Sequence, residues 1–223
     1  MALKTILINN QQFQYDEKII SYDDCRPITE NEAKHILELT KRLFNKKGLE
    51  FYLCFGTLLG AVRDKGVIIG DEDVDVFVDN ENLLISIIPY LYENGLKLFR
   101  QIKGKIYSFH DENGIYIDVY ILRSFKNSIW SLYCYSLARL ATPKYYFKYY
   151  QDIEFLGNTY KCPKDPEKIL EFWYGKTWRV PIKGFHAFAE VKSHYYWKKS
   201  IKKIKYTVQK IIIWDKWKHY IKK

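Results

Sequence analysis

GTLLGAVRDKGVIIGDEDVDV, residues 56–76, is the most informative stretch of this chain. An apolar segment, FYLCF at 51–55, precedes it and predicts a strand that ends at a Gly-Thr turn. A basic loop with Arg63 and Lys65 follows, and it leads to Asp73 and Asp75 in a second apolar strand. Buried carboxylates are costly unless they bind something. The order therefore predicts a nucleotide-phosphate pocket beside a metal-binding carboxylate pair.

The spacing of the carboxylates places them on one side of a sheet. Residues two apart on a strand face the same way, so Asp73 and Asp75 share a face. The later segment IYIDVYI, residues 115–121, alternates in the same manner and presents Asp118. Because magnesium prefers oxygen ligands, the three aspartates predict a site for Mg²⁺ or Mn²⁺. Two ions about 3.5–4 Å apart are typical of in-line phosphoryl displacement, and we expect two here.

The residues around the turn suit a phosphate. Gly56 allows close backbone approach, Thr57 offers a hydroxyl, and a helix that starts there would direct N–H groups at an anion. Arg63 and Lys65 can neutralise charge on transferring oxygens. Taken singly, these signals are weak, because many strand-to-helix turns use Gly and many Arg are surface charges. Their combination favours the site, with Asp71 interpreted as a loop residue.

The rest of the chain predicts one α/β domain, residues 1–190, with a C-terminal extension at 191–223. A capping box at Thr29–Glu32 predicts the first helix, which Gly48 ends. We further expect a short extended or hairpin segment at 3–20, a helix after Asp79 or Asn80, strands at 96–102 and 105–109, a helical aromatic segment at 125–150, a strand or hairpin at 152–162 and a helix from Pro166 to Gly175.

The net charge of +10 is concentrated at the C-terminus. Residues 192–223 hold eleven Lys and one acid, Asp215, so the other 191 residues are neutral overall. Apolar residues such as Trp197, Ile201 and Ile204 recur there at helical spacing. A basic amphipathic helix of this kind predicts binding to an anionic membrane surface. The alternative is a helix packed on its own domain with its lysines outward.

The remaining features exclude several classes of protein. The four Cys (Cys25, Cys54, Cys134, Cys162) are widely spaced, so zinc is unsupported, and Cys54 is expected in the core. The sequence shows neither a signal-peptide apolar region nor an apolar run of about 18–20 residues that a spanning helix needs. We expect a cytoplasmic protein that associates peripherally with the inner face of the membrane.

GTLLGAVRDKG and DEDVDVFV resemble the LicD family of phosphotransferases, which is related to fukutin and fukutin-related protein. The resemblance extends to Ile117-Asp118-Val119 and to PKDPEKILEFWYGKTWRVP, residues 163–181, and covers roughly residues 30–185. It implies a nucleotidyltransferase-type mixed sheet flanked by helices. The family's Pro-Trp before the acidic run is Ile69-Gly70 here, which puts the identity of the donor in question more than the reaction class.

The resemblance also implies an activity. It implies transfer of a phosphocholine-type or alditol-phosphate-type group from a CDP-linked donor to a hydroxyl of a cell-surface glycan or its lipid-linked precursor. By the same resemblance, Asp73, Asp75 and Asp118 become the metal carboxylates and catalytic residues, and Gly56, Thr57 and Arg63 become donor-phosphate contacts. A rival enzyme would attach a nucleotide to RNA, protein or a small molecule with the same carboxylates. A rival outside enzymes is a nucleic-acid-binding module that uses the Lys-rich tail, although we expect no stable nucleic acid partner.

Overall fold

The structure is a computed structural model, and it describes residues 2–18, 26–125, 129–138 and 140–181. The chain divides into two compact units, Met1–Leu170 and Glu171–Lys223. The features described below belong to the first unit unless stated otherwise. The basic tail at 191–223 and the domain boundary predicted near residue 190 lie outside the described residues.

The described residues form twelve strands and four α-helices. In chain order they are β1 (Ala2–Ile8), β2 (Gln11–Glu17), α1 (Glu30–Lys46), β3 (Tyr52–Leu53), α2 (Phe55–Leu59), β4 (Val74–Val78), α3 (Glu81–Glu93), β5 (Lys97–Ile102), β6 (Ile106–His110), β7 (Tyr116–Ile121), β8 (Arg123–Ser124), β9 (Cys134–Leu137), β10 (Leu140–Pro143), β11 (Tyr150–Phe155), β12 (Asn158–Pro163) and α4 (Pro166–Tyr174). A π-helical turn, Gly60–Asp64, continues α2, and 3₁₀ turns cover Ile129–Leu132 and Lys144–Phe147.

A mixed sheet is the centre of the fold. Its seven strands in the described residues follow the order β11-β12-β3-β4-β7-β6-β5. β4 pairs antiparallel with β3 and parallel with β7, and β6 pairs antiparallel with both β7 and β5. Helix α1 contacts β4 and β7, whereas α3 contacts β5. The predicted α/β class, with a mixed sheet flanked by helices, is confirmed.

Local sequence signals explain how α1 begins and ends. The Thr29 backbone N–H donates to Glu32 Oε2 at 2.9 Å, and the Glu32 N–H donates to Thr29 Oγ1, which completes the predicted capping box. Gly48 has a φ of 71°, the left-handed conformation that commonly follows the end of a helix. The buried side of α1 is apolar and packs into the core through Ala33, Ile36, Leu37, Leu43 and Phe44.

The helix predicted over residues 125–150 is wrong. The described part of this segment forms β9 and β10, which pair antiparallel, together with two 3₁₀ turns. The strands reverse at Ala138, whose φ is 47°. The high aromatic content misled the interpretation, because aromatic side chains also suit a pleated, half-buried strand.

Candidate metal and phosphate site

Two neighbouring strands bring the predicted carboxylates together. Asp75 on β4 lies directly opposite Asp118 on β7 in the parallel register. Asp73 precedes β4 by one residue, and it shares the Asp75 face because residues two apart point the same way. Carboxylate oxygens of the three residues lie within 4.8 Å of one another. The predicted adjacency is confirmed, whereas their catalytic and metal-binding roles stay predictions.

Burial and mutual repulsion disfavour the ionised form of this cluster. Asp75 is 8% exposed and Asp118 3% exposed. Burial, followed by the charges of Asp71 and Asp118, raises the pKa of Asp75 well above its ordinary value. Burial also raises the pKa of Asp73, and neighbouring carboxylates add to that effect. Oxygen-only ligands with excess negative charge fit a hard divalent cation, so this donor set can hold one.

Asp118 already has partners within the protein. Its Oδ2 accepts a hydrogen bond from Arg100 Nη2 at 2.6 Å, and its Oδ1 accepts one from the Ser108 hydroxyl at 2.5 Å. Arg100 Nε also donates to Ser108 Oγ at 2.8 Å. Within the protein, Arg100 is the cationic partner of Asp118. Burial raises the pKa of Asp118, while the Arg100 charge opposes that rise.

A β-bulge explains why Arg100 reaches this face. Lys97 and Leu98 on β5 pair with His110 and Phe109, but after a register shift Arg100 pairs with Ser108. Without the shift, Arg100 would lie on the Leu98 face, away from Ser108. Bulges often redirect a side chain near functional sites. Sequence reasoning missed Arg100 and Ser108 because strict alternation gives no sign of the extra residue.

The Gly-Thr turn is tied directly to Asp75. The Gly56 N–H donates to Asp75 Oδ2 at 2.9 Å, and the Asp75 N–H donates to Thr57 Oγ1 at 2.8 Å. The Cys54 N–H donates to the Asp75 carbonyl at 3.2 Å, which extends the β3–β4 pairing into the turn. Gly56 and Thr57 therefore position a carboxylate. Their predicted contact with a donor phosphate stays a prediction.

Gly56 must lack a side chain because a second carboxylate approaches it. A Cβ at Gly56 would lie 2.9 Å from Asp71 Oδ2 and 3.1 Å from Asp75 Oδ2. Asp71 is a loop residue, as predicted, yet its carboxylate lies at the site and contributes to the raised pKa of Asp73 and Asp75. Gly56, Thr57, Asp71 and Asp73 line one cavity. The acidic run DEDVD was the only sequence signal for Asp71.

The two basic residues of the predicted phosphate pocket lie beyond α2. Arg63 forms a bidentate pair with Asp64, with Nε–Oδ1 at 2.8 Å and Nη2–Oδ2 at 2.7 Å. Lys65 is exposed and ends the π-helical turn in a left-handed conformation, with φ at 56°. Their contact with a donor phosphate stays a prediction.

The cysteines at and near the site are structural. Cys54, Cys134 and Cys162 are free and buried. Cys54 lies between β3 and α2 with no exposed surface, which confirms its predicted place in the core. Burial raises the pKa of its thiol, so this group is inert rather than a metal-binding thiolate.

A mixed sheet that presents clustered carboxylates beside a strand–Gly-Thr–helix turn defines a nucleotidyltransferase-type domain. The family model described as LicD/FKTN/FKRP, nucleotidyltransferase domain matches residues 48–165, more than half of the chain. The chain belongs to this family, which confirms the resemblance of its motifs.

Curated relatives also match this chain. Ribitol-5-phosphate transferase FKTN of Mus musculus is 29% identical over 158 residues, which is 68% of this chain and 34% of that protein. Ribitol-5-phosphate transferase FKTN of Homo sapiens is 28% identical over 161 residues, with 68% and 34% covered. The chain spans about a third of the length of the curated relatives it matches.

Solved structures that are similar to this chain include the following two. Lincosamide antibiotic adenylyltransferase LnuA, in its lincomycin-bound form, has a TM-score of 0.45 at 13% identity, with 75% of this chain and 93% of that chain covered. Antibiotic-resistance factor ANT(2'')-Ia has a TM-score of 0.46 at 13% identity, with 78% and 86% covered. Separately, none of the helices in the described part of the chain has the length and apolar character that a membrane crossing needs.

Metal binding should become more stabilising as pH rises. Asp73, Asp75 and Asp118 have pKa values above the unfolded value of about 3.9, so the folded state holds more protons between those values. Without metal, the contribution of these three groups to stability is fully present at low pH and is lost as pH rises through their folded pKa values. A cation favours the ionised form and offsets that loss. Melting in EDTA and in MgCl₂ or MnCl₂ should show a larger metal-induced rise in Tm at pH 8 than at pH 5.

Two variants make the metal experiment specific. Asp75→Asn should abolish the metal-induced rise in Tm, while Asp152→Asn, at an exposed position of β11, should retain it. A rise of equal size at both pH values, or one that persists in Asp75→Asn, would contradict a metal site in this cluster.

Removal of Arg100 should destabilise the metal-free protein at neutral pH. Arg100→Met leaves Asp118 buried without its cation, and breaking a buried pair from one side costs about 3–5 kcal/mol. Because the Arg100 side chain is 23% exposed, we expect a smaller loss. The free energy of unfolding, measured with urea in EDTA, should fall by about 2 kcal/mol relative to the wild-type protein. Ser108→Ala should cost less, about 1 kcal/mol. In an Asp118→Asn background the Arg100→Met cost should shrink; an undiminished cost would refute the charge pairing.

Proposed function

We propose that this chain transfers a substituted phosphate from a CDP-linked donor to a hydroxyl of a glycan. The observation that carries the proposal is the cluster of Asp73, Asp75 and Asp118, with carboxylate oxygens within 4.8 Å of one another. Membership of a family whose curated relatives are called ribitol-5-phosphate transferases supports this reaction class. An alditol-phosphate or phosphocholine group is the substituent we expect.

Each residue of the site has a role in this proposal. Asp73, Asp75 and Asp118 would hold Mg²⁺ or Mn²⁺, with two ions expected. When bound, such ions polarise phosphoryl oxygens and offset charge that develops on the leaving group. Gly56 and Thr57 keep Asp75 in place through the hydrogen bonds of the turn. Arg63 and Lys65 would contact the donor phosphates.

The reaction is an in-line displacement at the distal phosphorus of the donor. The acceptor hydroxyl oxygen forms a bond to that phosphorus, and the bond from the phosphorus to the bridging oxygen breaks. CMP leaves with the electron pair of that bond. The acceptor proton passes to a carboxylate of the cluster. Asp118 is less suited than its neighbours to take it, because both of its oxygens already accept hydrogen bonds.

Nucleotidyl transfer is the second candidate, because the family domain is of nucleotidyltransferase type. In that reaction a nucleoside triphosphate would release pyrophosphate while the nucleotide joins the acceptor. The released small molecule distinguishes the two, since substituted-phosphate transfer releases CMP.

The cellular setting remains part of the proposal. A glycan or its lipid-linked precursor would be the acceptor, at the inner face of the membrane. Residues 192–223 would attach the cytoplasmic enzyme to that anionic surface through their lysines and aromatic residues. These residues lie outside the described part of the structure.

Asparagine in place of the cluster aspartates should abolish CMP release. CDP-ribitol, CDP-glycerol and CDP-choline are incubated separately with divalent metal, and CMP is quantified by chromatography. Asp73→Asn and Asp75→Asn should each lower kcat by about 10³-fold or more, because phosphoryl transfer depends mainly on electrostatic stabilisation. Circular dichroism should remain unchanged, and the exposed-site variant Asp152→Asn should keep full activity. Full turnover in either cluster variant would refute the site.

Ile69 should influence which donor is used. Its side chain is fully exposed and belongs to the loop that carries Asp71. Gly70 beside it has a φ of 88°, so a substitution there would be strained whatever its chemistry. Ile69→Ala should therefore change the ratio of kcat/KM values between CDP-ribitol and CDP-choline by about threefold to tenfold, the range expected for a lost apolar contact. An unchanged ratio would remove this loop from donor selection.

A further inference from the structure

The first strand of the chain has a long outer edge. β1, with the sequence ALKTILI, pairs along its whole length with β2, and among the described strands it pairs with no other. Within the described range Ala2–Ile8 the strand has no proline and no bulge, and Lys4 is its one charged residue. Proteins usually blunt such edges, because unpaired N–H and C=O groups recruit another strand. The outer edge of β1 is therefore a candidate interaction surface.

The turn after β1 determines which backbone groups lie on that edge. Asn9 and Asn10 have φ values of 50° and 66°, which indicates a two-residue type I′ hairpin turn. The residues on either side of such a turn, Ile8 and Gln11, form a hydrogen-bonded pair, and hydrogen-bonded pairs alternate with open ones along an antiparallel ladder. Counting back from Ile8, every second residue of β1 therefore bonds to β2. The backbone groups that point outward belong to Leu3, Thr5 and Leu7.

The same three residues place apolar groups in solvent. Leu3 is 63% exposed and Leu7 67% exposed, and they flank the exposed Thr5 on one face of the hairpin. The opposite face of β1 packs inward through Ile6 and Ile8, which are buried. We call Leu3, Thr5 and Leu7, with their outward backbone groups, the β1 edge. It combines an apolar stripe with a row of hydrogen-bonding groups, which together suit another strand.

We propose that the β1 edge joins two copies of this chain through antiparallel strand pairing. A two-fold axis at Thr5 pairs Thr5 with Thr5 of the second copy and Leu3 with Leu7 of the second copy. All of these are hydrogen-bonded pairs, so each outward N–H of the β1 edge meets a C=O of the other copy. An axis between two residues would pair outward groups with groups that already bond to β2. The dimer would thus contain a four-stranded sheet in the order β2-β1-β1-β2.

Charge and register favour an axis at Thr5 over its neighbours. An axis at Lys4 would place the two Lys4 side chains opposite each other, and like charges directly opposite destabilise a sheet. An axis at Ile6 would leave Leu3 opposite the turn rather than the strand. With the axis at Thr5, Lys4 lies opposite Ile6 of the second copy, and Glu17 Oε2 offsets its charge at 3.4 Å from Nζ. The leucines then form cross-strand pairs on the outer face.

The size of the contact sets the affinity that we expect. Each copy contributes one strand edge, which is less than the roughly 1,200–2,000 Å² that stable interfaces bury in total. We therefore expect the dimer to form at micromolar concentrations, with a Kd of about 10–100 μM. A segment of this chain outside the described residues and an extended strand of another protein are the competing occupants. The symmetric order Leu-Thr-Leu favours the second copy, because the same edge supplies both halves of every pair.

Sedimentation velocity of the full chain at about 5–500 μM tests this edge, and the wild-type protein should change from monomer to dimer across that range. Thr5→Pro removes one outward N–H and leaves the bonds between β1 and β2 in place, because proline is tolerated at the outer side of an edge strand. It should raise the dimer Kd at least about tenfold. Thr5→Val keeps the N–H, so its Kd should stay within about twofold of the wild-type value. Both variants should keep the wild-type circular dichroism spectrum.

An exchange of charges tests the register. Leu3→Lys/Leu7→Lys places like charges opposite each other in two pairs, so the dimer should be absent at concentrations up to about 500 μM. Leu3→Lys/Leu7→Glu places opposite charges in the same pairs, and its Kd should lie within about threefold of the wild-type value. Leu132→Lys/Val180→Lys adds two positive charges at exposed apolar residues outside β1 and should leave the Kd unchanged.

Three results would overturn the proposal. The first is a wild-type chain that stays monomeric at about 500 μM, as it would if another segment of the chain already occupied the edge. The second is a dimer whose Kd is unchanged in both Thr5→Pro and Leu3→Lys/Leu7→Lys. The third is an equal loss of the dimer in Leu3→Lys/Leu7→Lys and Leu3→Lys/Leu7→Glu, which would contradict pairing centred on Thr5. The proposal does not rest on the proposed function, so Asp75→Asn should dimerise with the wild-type Kd.

Discussion

The parallel pairing of β4 and β7 places Asp75 directly opposite Asp118. The two carboxylates repel each other when both are ionised, so the surrounding residues must hold them in place. Each carboxylate is held by a different part of the fold. Asp75 accepts the Gly56 N–H from the turn, and Asp118 accepts hydrogen bonds from Ser108 and Arg100 across two more strands. One guanidinium does not balance the three carboxylates, so the cluster can hold a cation.

The first residue of α2 has a strained backbone conformation that supports this arrangement. Phe55 has a φ of 40°, an unfavourable conformation for a residue with a side chain, and costs about 1–2 kcal/mol. Its ring, packed 5.0 Å from Tyr120, helps to compensate. The Tyr120 hydroxyl in turn hydrogen-bonds to Asp75 and Asp118. The strained backbone at Phe55 and the absence of a side chain at Gly56 therefore both help to hold Asp75 in position.

Alternation along strands made part of the site predictable from sequence. The shared face of Asp73, Asp75 and Asp118 could be predicted because side chains alternate every two residues along a strand. The start of α1 could be predicted from its capping box. The role of Arg100 could not be predicted in this way, because the bulge between Leu98 and Arg100 moves its side chain to the opposite face of β5 from the one that alternation predicts. Asp71 did not follow either, since the approach of a loop carboxylate to Gly56 depends on tertiary packing. The aromatic segment at 125–150 was misjudged because large aromatic residues suit both helices and strands.

The excess negative charge of the cluster has a consequence for the order of substrate binding. An anionic donor is repelled by the metal-free carboxylates. A cation in the cluster reverses that effect, so metal and anionic donor would favour each other's binding. Linkage makes that coupling reciprocal: whatever factor metal adds to donor affinity, the donor adds to metal affinity. The excess negative charge that Arg100 leaves unbalanced is therefore what would make donor binding depend on metal.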